Sequence, residues 1–387
     1  MYLCKKYIFE MRKVFNTAYF FVAIIIGVLA GSCASGAGGF AVEGGDTLTR
    51  RSELLTMVDC GDYVVAEIKN PWGDGLLARY LLVSDDYEGD LPEVDELTSV
   101  VITPVRRSVV FSSVYGGAIA ELGAADAISG VTDGQYFVLP EIAEAIADGR
   151  IADVGNSMSP SVESIVDCNP SALITSPYQG QEQGAIERLG IPVIAMVDYM
   201  EPTPLGRAEW LRLIGELYGR RHKADSIYQA VEADYERLRA MTAGVESRPV
   251  VITEQPQPGG QWDVPSGQSY MAQMLADAGA DYPWASTEGA GSLKLDIASV
   301  YDRAHDADYW LIRSYGPLTA SSLSSISPLT ARFKALTSGG LYVCDTSQSP
   351  LFDEFPFHPE RLLTDYIKIF HPELLPPASL RYFSQEF

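Results

Sequence analysis

The stretch TPLGRAEWLRLIGELYGRRHKADSIYQAVEADYERLRAMTA, residues 203–243, decides the architecture of this chain. Its apolar residues recur at helical spacing in two groups, with Gly219 between them. The apolar positions are Trp210, Leu213, Ile214, Leu217 and Tyr218, and then Ile227, Tyr228, Val231, Tyr235 and Leu238. This pattern predicts two helices. The second helix, roughly residues 221–243, would be about 34 Å long at 1.5 Å per residue, which is long enough to connect two lobes.

Short β-branched runs alternate with helical patterns on both sides of this stretch. The predicted strands are 108–111, 127–131, 151–154, 172–175 and 192–197 before it, and 249–253, 261–264, 308–312 and 341–344 after it. A terminal helix is predicted near residues 359–370. This alternation is typical of parallel sheets that are covered on both faces. The sequence therefore predicts an α/β fold of two lobes, each with a central parallel sheet, joined by one long interlobe helix.

Residues 45–104 form a β-rich section of a different kind. Two alternating stretches, residues 63–68 and 76–83, flank the turn sequence NPWGDG at 70–75. Period-two alternation across such a turn predicts a β-hairpin. The sequence assigns this section no function.

The amino terminus has the features of a secretory signal. Four basic residues among the first thirteen precede an apolar run, residues 18–30, which ends in small residues before Cys33. This order predicts a signal peptide. A cysteine at the cleavage position resembles a lipobox, so Cys33 is predicted to carry a lipid, with an uncleaved anchor as the alternative. The predicted sections are a lipoprotein signal peptide (1–32), a flexible tether (33–44), the β-rich section (45–104), a first α/β lobe (105–202), a helical connector (203–245) and a second α/β lobe (246–387).

The composition excludes several functions. The 387 residues carry a formal net charge of −23, with 28 Lys and Arg against 51 Asp and Glu. Such a field repels polyphosphate, so nucleic-acid binding is excluded. The five cysteines include no CxxC pair and the four histidines no HxxxH or HxH pair, so no catalytic metal site built by the protein is expected. After export Cys60, Cys168 and Cys344 would remain, and we expect three buried thiols, with at most one disulfide as the alternative.

The carboxyl ends of the predicted strands carry aromatic and small polar residues, and ligands of open α/β sheets bind at these ends. The candidate ligand contacts are Tyr115, Tyr136, Tyr178, Trp262, Arg313 and Tyr315. The alternative is that two of the four residues Tyr115, Tyr136, Tyr178 and Trp262 only cover the edge of the sheet. Flat aromatic faces with few hydrogen-bonding groups suit a large, rigid, partly apolar ligand such as a corrin, a porphyrin or a catecholate chelate. The Arg313 guanidinium would bind an anionic group of the ligand through two hydrogen bonds, unless it forms a surface ion pair. Met158 or a tyrosine could ligate a haem iron, whereas the histidines lie off the predicted cleft loops.

Several motifs occur in a fixed order. They are SSVY (112–115) through ELGA (121–124) with ISGVTD (128–133), VG (154–155), SVESI (161–165) to NPSALI (169–174), LGIPV (189–193) and IGELYGR (214–220). In this order they resemble the class III periplasmic substrate-binding proteins, the cobalamin- and iron-chelate-binding family of ABC importers, over about residues 105–375. The resemblance implies a bilobal fold with a rigid interlobe helix and a ligand in the cleft. It also implies that Glu163 docks on the permease, whereas the equivalent second-lobe position is Ala298, with Asp296 nearby.

The sequence favours a binding protein over an enzyme. It has no GxSxG, HExxH, P-loop or GxGxxG motif, and the acid pairs at 85–86 and 353–354 are interpreted as solvated loop residues. We expect a monomer without a resident cofactor, lipid-anchored on the periplasmic side of the cell envelope. It would capture cobalamin, haem or a ferric siderophore and deliver it to an ABC importer permease. A scavenger that works without a permease, and a hydrolase or chelatase acting on the same ligand, are the alternatives.

Overall fold

The computed structural model describes residues 44–181 and 184–386. The first element of these residues is a five-stranded sheet. The predicted signal peptide and Cys33 lie outside these residues. The strands adjoin in chain order: β1 (Asp46–Thr47), β2 (Leu55–Asp59), β3 (Tyr63–Lys69), β4 (Leu76–Ser84) and β5 (Thr98–Thr103). The predicted hairpin is β3 and β4, which pair antiparallel, and β5 joins β4 in parallel. We call this element the N-terminal sheet.

Two buried carboxylates fasten the N-terminal sheet to the rest of the molecule. Glu209 accepts the backbone N–H groups of residues 50, 51 and 52 at 2.7–2.9 Å. Glu201 accepts those of Glu53 and Leu54 at 2.9 and 3.0 Å. Because a buried carboxylate is stable only when donors surround it, these contacts fix the path of the 50–54 loop.

The first lobe contains a sheet of five parallel strands in the order β12–β11–β6–β7–β8. Its strands are β6 (Ser108–Val110), β7 (Ile128–Val131), β8 (Ala152–Asp153), β11 (Ala172–Thr175) and β12 (Val193–Ala195), and a short antiparallel pair is β9 (Gly155–Asn156) with β10 (Ser159–Pro160). Its helices are α1 (Ser113–Glu121), α2 (Pro140–Ala147), α3 (Val162–Asp167) and α4 (Gly184–Glu187). All four residues of β11 are buried, as expected for a central strand covered on both faces.

The outer edge of β12 is covered by one side chain of the N-terminal sheet. Strand β12 bonds to β11 through its inner edge. On the outer edge the Tyr80 hydroxyl accepts the N–H of Ala195 at 2.8 Å and donates to the carbonyl of Val193 at 2.9 Å. A tyrosine from β4 thereby supplies the partners that a neighbouring strand would supply.

The connector consists of three helices, α5 (Pro204–Ala208), α6 (Leu211–Leu217) and α7 (Arg221–Thr242). Gly219, with φ +63°, lies in the left-handed turn between the last two. The 22 residues of α7 cross between the lobes. Ala224 packs in the first-lobe core, whereas Tyr228 and Leu238 pack in the second-lobe core. The predicted interlobe helix is confirmed.

The second lobe has a central sheet in the order β13–β16–β17–β18. Its strands are β13 (Val251–Thr253), β16 (Tyr309–Ser314), β17 (Leu341–Asp345) and the antiparallel β18 (Ser384–Glu386), and a separate antiparallel ribbon is β14 (Gln261–Pro265) with β15 (Ser292–Asp296). Its helices are α8 (Tyr270–Asp277), α9 (Ile297–Ala304), α10 (Ala320–Ile326), α11 (Lys334–Thr337), α12 (Leu351–Glu354) and α13 (Pro359–Phe370). The predicted strand 261–264 therefore belongs to the ribbon and not to the central sheet.

The lobes also meet behind the cleft, where α12 packs against α1. A Cβ atom at Gly117 would collide with the backbone of Asp353, so the close approach of these helices requires glycine. Beside this contact the ring of His358 lies between Glu121 at the end of α1 and Glu360 on α13, at 2.7 and 2.9 Å.

The cysteines of the described residues are free thiols. Cys168 and Cys344 are buried, as predicted, and burial raises the pKa of Cys344 to about 11. Cys60 is partly exposed, so the prediction of three buried thiols holds for two of them.

Candidate ligand-binding cleft

Two adjoining hollows lie between the lobes. The first, which we call the Tyr136 hollow, has a volume of about 410 Å³. Its first-lobe lining is Phe111, Ser112, Ser113, Val114, Thr132, Asp133, Tyr136, Phe137 and Ser157, and its second-lobe lining is Tyr315, Thr346, Ser349, Phe352 and Asp353. Because both lobes contribute to it, a ligand bound there would contact both at once.

The local structure after β7 presents Tyr136 to this hollow. Asp133 has a left-handed backbone, with φ 52°, and starts the short 3-10 turn Gly134–Tyr136. Its carboxylate accepts hydrogen bonds from Nδ2 of Asn156 and from the backbone N–H of Ser157, both at 2.9 Å. The loops that follow neighbouring strands are thus held together, which gives Tyr136 a fixed support.

Tyr136 and Tyr315 come together from opposite lobes, as a shared cleft requires. Their ring centroids lie 5.0 Å apart at an interplanar angle of 85°. The Tyr315 hydroxyl also donates to the carbonyl of Gln135 at 3.3 Å. An edge-to-face pair is a favourable aromatic geometry. Tyr136 is 48% exposed and Tyr315 57%, so both rings are accessible to a ligand.

Thr132 and Asp353 are polar residues of this hollow that sequence reasoning missed. Thr132 is 1% exposed and Asp353 5% exposed. Neither Oγ1 of Thr132 nor Oδ1 of Asp353 has a hydrogen-bond partner among the described residues. Burial raises the pKa of Asp353 to about 7, and the charge of neighbouring Glu354 acts in the same direction. The interpretation of Asp353 as a solvated loop residue is wrong, because it lies on α12 where the lobes meet.

The second hollow, which we call the Arg313 hollow, has a volume of about 570 Å³. Its lining includes Tyr199, Met200, Glu254, Gln255, Gln257, Asp263, Tyr270, Ser292 and Arg313. The Arg313 guanidinium lies over the ring of Phe352, 5.9 Å from its centroid, and Phe352 lines the Tyr136 hollow. Arg313 therefore lies beside both hollows.

Arg313 is placed at the cleft, but its charge is already paired. Its guanidinium forms an ion pair with the carboxylate of Glu254. Burial alone would lower the pKa of Arg313, but the charge of Glu254 raises it above the usual value. The pair is largely buried and is not the surface ion pair of the alternative, and it gives no support to an anionic ligand.

Tyr115 and Trp262 are wrong as ligand contacts because both are buried inside their own lobes. The Tyr115 hydroxyl donates to Asp198 at 2.8 Å, and Asp198 pairs with Arg207 at 2.9 Å. The Trp262 ring stacks on Trp310 with centroids 5.2 Å apart. Each aromatic side chain holds its lobe together instead of facing the ligand.

Tyr178 lies away from the other tyrosines. Its ring is 42% exposed. It lines a different hollow of about 520 Å³, next to Asn70 and Trp72 of the N-terminal sheet. The structure therefore does not bring Tyr178 together with Tyr136 and Tyr315.

Glu163 is exposed in the first turn of α3, at the surface position that its predicted role needs. In the second lobe Ala298 is exposed in the first turn of α9. Asp296 caps that helix by accepting the N–H of Ser299 at 2.9 Å, so its carboxylate is engaged locally. Met158 is exposed beside the first-lobe loops.

Two α/β lobes that enclose a cleft and are joined by one long helix define a solute-binding protein of class III. A family model described as "Periplasmic binding protein" matches residues 109–347, and the chain therefore belongs to this family. The match begins after the N-terminal sheet.

Known proteins resemble the chain in sequence and in fold. An uncharacterized lipoprotein of Methanocaldococcus jannaschii is 26% identical over 295 residues, which cover 73% of this chain and 69% of that protein. A periplasmic heme binding protein from Pseudomonas aeruginosa has a TM-score of 0.59 at 17% identity, over 73% of this chain and 98% of that chain. An ABC-type Fe3+-hydroxamate transport system from Saccharomonospora viridis has a TM-score of 0.51 at 17% identity, over 68% and 93% of the two chains. Within the described residues, no helix combines the length and the apolar character that a membrane span needs.

Proposed function

We propose that the protein is a lipid-anchored, extracytoplasmic solute-binding protein that captures a metal chelate in its interlobe cleft and delivers it to an ABC importer. The observation that carries this proposal is the accessible pair Tyr136 and Tyr315, which opposite lobes contribute to one hollow. The exposed surfaces of this ring pair suit a large, rigid, partly apolar ligand. Family membership supports a carrier rather than an enzyme.

The class of cargo follows from the cleft and from the relatives. One structural relative is named for heme and another for Fe3+-hydroxamate. Cobalamin, haem and ferric siderophores share the bulk and rigidity that the two hollows, of about 410 and 570 Å³, can receive. The cargo is bound as a complete chelate, without a resident cofactor.

The lipid anchor is proposed at Cys33. The small-residue sequence before this cysteine and the lipoprotein relative both support it. A tether of about ten residues would then separate the lipid from the N-terminal sheet, which starts at Asp46. Replacing Cys33 by serine should release the protein from the membrane fraction.

Ligand titration followed by tryptophan fluorescence tests the carrier function. Cyanocobalamin, haemin and ferrioxamine B should each be titrated, and the chelate recovered afterwards should be chemically unchanged. Tyr136→Ala and Tyr315→Ala should each weaken binding of the chelate that binds by about tenfold, because each removes one aromatic face. Tyr178→Ala is the matched control, since it removes an exposed tyrosine outside the cleft. Equal affinities for all three variants and the parent protein would contradict the proposed site, and turnover of the chelate would favour an enzyme.

Delivery to a permease is tested separately from binding. Glu163→Ala should reduce chelate uptake by cells while leaving the affinity of the purified protein unchanged. Glu141→Ala, which removes an exposed acid from the first turn of α2, is the control. Normal uptake with Glu163→Ala would favour the second candidate, a scavenger without a permease, which the exposed Ala298 already supports.

A further inference from the structure

The charge of the cleft is informative about its cargo. Of the described residues that line the two hollows, Arg313 is the only basic one, and Glu254 pairs with it. Asp133 and Asp353 line the Tyr136 hollow, and Asp263 lines the Arg313 hollow. A ligand that carries carboxylates or catecholates would bring further negative charge to this acidic surface. The cleft therefore favours a cargo that is neutral or cationic.

The polar atoms of the Tyr136 hollow show what kind of group enters it. Thr132 of the first lobe and Asp353 of the second both line this hollow, and the atoms in question are Oγ1 of Thr132 and Oδ1 of Asp353. Both are buried and without a partner among the described residues, and such atoms are destabilising unless a ligand or water pairs with them. The first turn of α1, residues 112–114, faces the same hollow. These groups can donate and accept hydrogen bonds but present no basic side chain.

We propose that Thr132 and Asp353 form a subsite for an uncharged group that both donates and accepts hydrogen bonds, such as a primary carboxamide or a hydroxyl, at the edge of a neutral or cationic chelate. This inference rests on the proposed carrier function and specifies its cargo. A carboxamide oxygen accepts from the Thr132 hydroxyl while its N–H donates to the Asp353 carboxyl. A carboxylate at the same place has no N–H to donate and, above about pH 7, where Asp353 is ionised, lies beside the negative charges of Asp133 and Asp353.

Matched ligands test this subsite on the full chain. The first pair is cyanocobalamin and its monocarboxylic acids, in which one side-chain amide is a carboxylate. The second pair is the bis-carboxamide of haemin and haemin itself. Isothermal titration calorimetry should give the amide form an affinity at least tenfold higher than its carboxylate form, in whichever macrocycle binds.

The variants separate the subsite from general stability. Thr132→Val and Asp353→Ala should each weaken binding of the amide form by about tenfold, because one hydrogen bond to a buried group is lost. Asp353→Asn keeps a hydrogen-bond donor and an acceptor, so the affinity for the amide form should be unchanged. The ratio of the affinity for the amide form to that for the carboxylate form should become smaller. This isosteric variant also keeps the test decisive if Asp353→Ala fails to fold. The controls are Thr175→Val and Asp365→Asn, which change a buried threonine and a buried acid that do not line either hollow.

The outcomes distinguish the subsite from the carrier function. If carboxylate forms bind as tightly as amide forms, or if Thr132→Val and Asp353→Ala leave the affinity unchanged, the subsite is wrong while the carrier function stands. If no chelate of either kind binds the parent protein, the carrier function fails and the subsite fails with it.

Discussion

Asp353 is a carboxyl group whose ionised form is disfavoured by its buried surroundings. Burial raises its pKa to about 7, the charge of Glu354 on the same helix acts in the same direction, and Asp133 lines the same hollow. In the unfolded chain the pKa of an aspartate is about 3.9. Its contribution to stability is therefore fully present below about pH 4 and is lost as the pH rises to about 7.

The raised pKa of Asp353 predicts that the stability of the protein depends on pH. Between pH 4 and pH 7 the parent protein should lose up to about 4 kcal/mol of unfolding free energy that Asp353→Asn does not lose. Thermal or denaturant unfolding at several pH values measures the difference. Parallel pH curves for the two proteins would show that Asp353 is ionised in the folded state at pH 5.

At the residue scale the sequence predicted positions better than side-chain directions. The strand-end rule placed Tyr136, Tyr315 and Arg313 at the cleft. It failed for Tyr115, because a residue in the first turn of a helix between two packed layers points inward as readily as outward. The pairing of Arg313 depends on Glu254, which lies 59 residues earlier and has a left-handed backbone, with φ 64°. No local pattern reports such a contact, since it forms only when β13 and β16 adjoin.

The loop at residues 50–54 is the element that fastens the N-terminal sheet, and Glu209 is its main acceptor. Glu209→Ala would leave three backbone N–H groups without their acceptor and should reduce the unfolding free energy by about 3 kcal/mol. Hydrogen exchange should rise first in the N-terminal sheet. Glu232→Ala is the matched control, because this partly exposed acid bonds to Arg51 of the same loop through a surface ion pair and should have an effect below about 1 kcal/mol. Equal destabilisation by both variants would contradict the role of Glu209.

Most elements of the lobes were predictable because their sequences carry either a helical apolar period or a short run of buried residues. The bounds of β11 and α13 agree with the prediction residue for residue. Strand β15 was missed because its alternation, SLKLD, offers only two apolar residues and becomes a strand through pairing with β14. The same ribbon explains why Trp262 is buried. Neighbouring residues of β14 point to opposite faces, so the Trp262 ring points into the lobe while Gln261 faces water. The error at Trp262 thus came from the unpredicted pairing of β14 with β15.

At the scale of the whole molecule, His358 links the lobes through Glu121. Burial alone would lower its pKa, but the hydrogen bonds to Glu121 and Glu360 raise it to about 9. The stabilisation from this link is therefore fully present below about pH 6.5 and is lost as the pH rises through 9. His358→Gln should reduce the unfolding free energy by about 2 kcal/mol at pH 6 and by much less at pH 10. The same deficit at both pH values would show that the histidine is not charged in the folded protein.

The connector and the α1–α12 contact together predict a small closure on ligand binding. Helix α7 spans both cores, and the contact at Gly117 leaves no room for a wide rotation at the back of the cleft. Solution scattering should give nearly the same radius of gyration for the free and the chelate-bound protein. A clear decrease on binding would show a hinge that this packing does not provide.

The hydroxyl of Tyr80 has a consequence for any truncation of the chain. A protein that starts at residue 105, where the two-lobed body begins, would expose the outer edge of β12. The N–H of Ala195 and the carbonyl of Val193 would then have only water as a partner. Such an edge is a template for strand addition from another molecule. The shortened protein should therefore self-associate into oligomers even if both lobes fold. By covering the edge of β12, the N-terminal sheet should therefore keep the protein from aggregating through this strand.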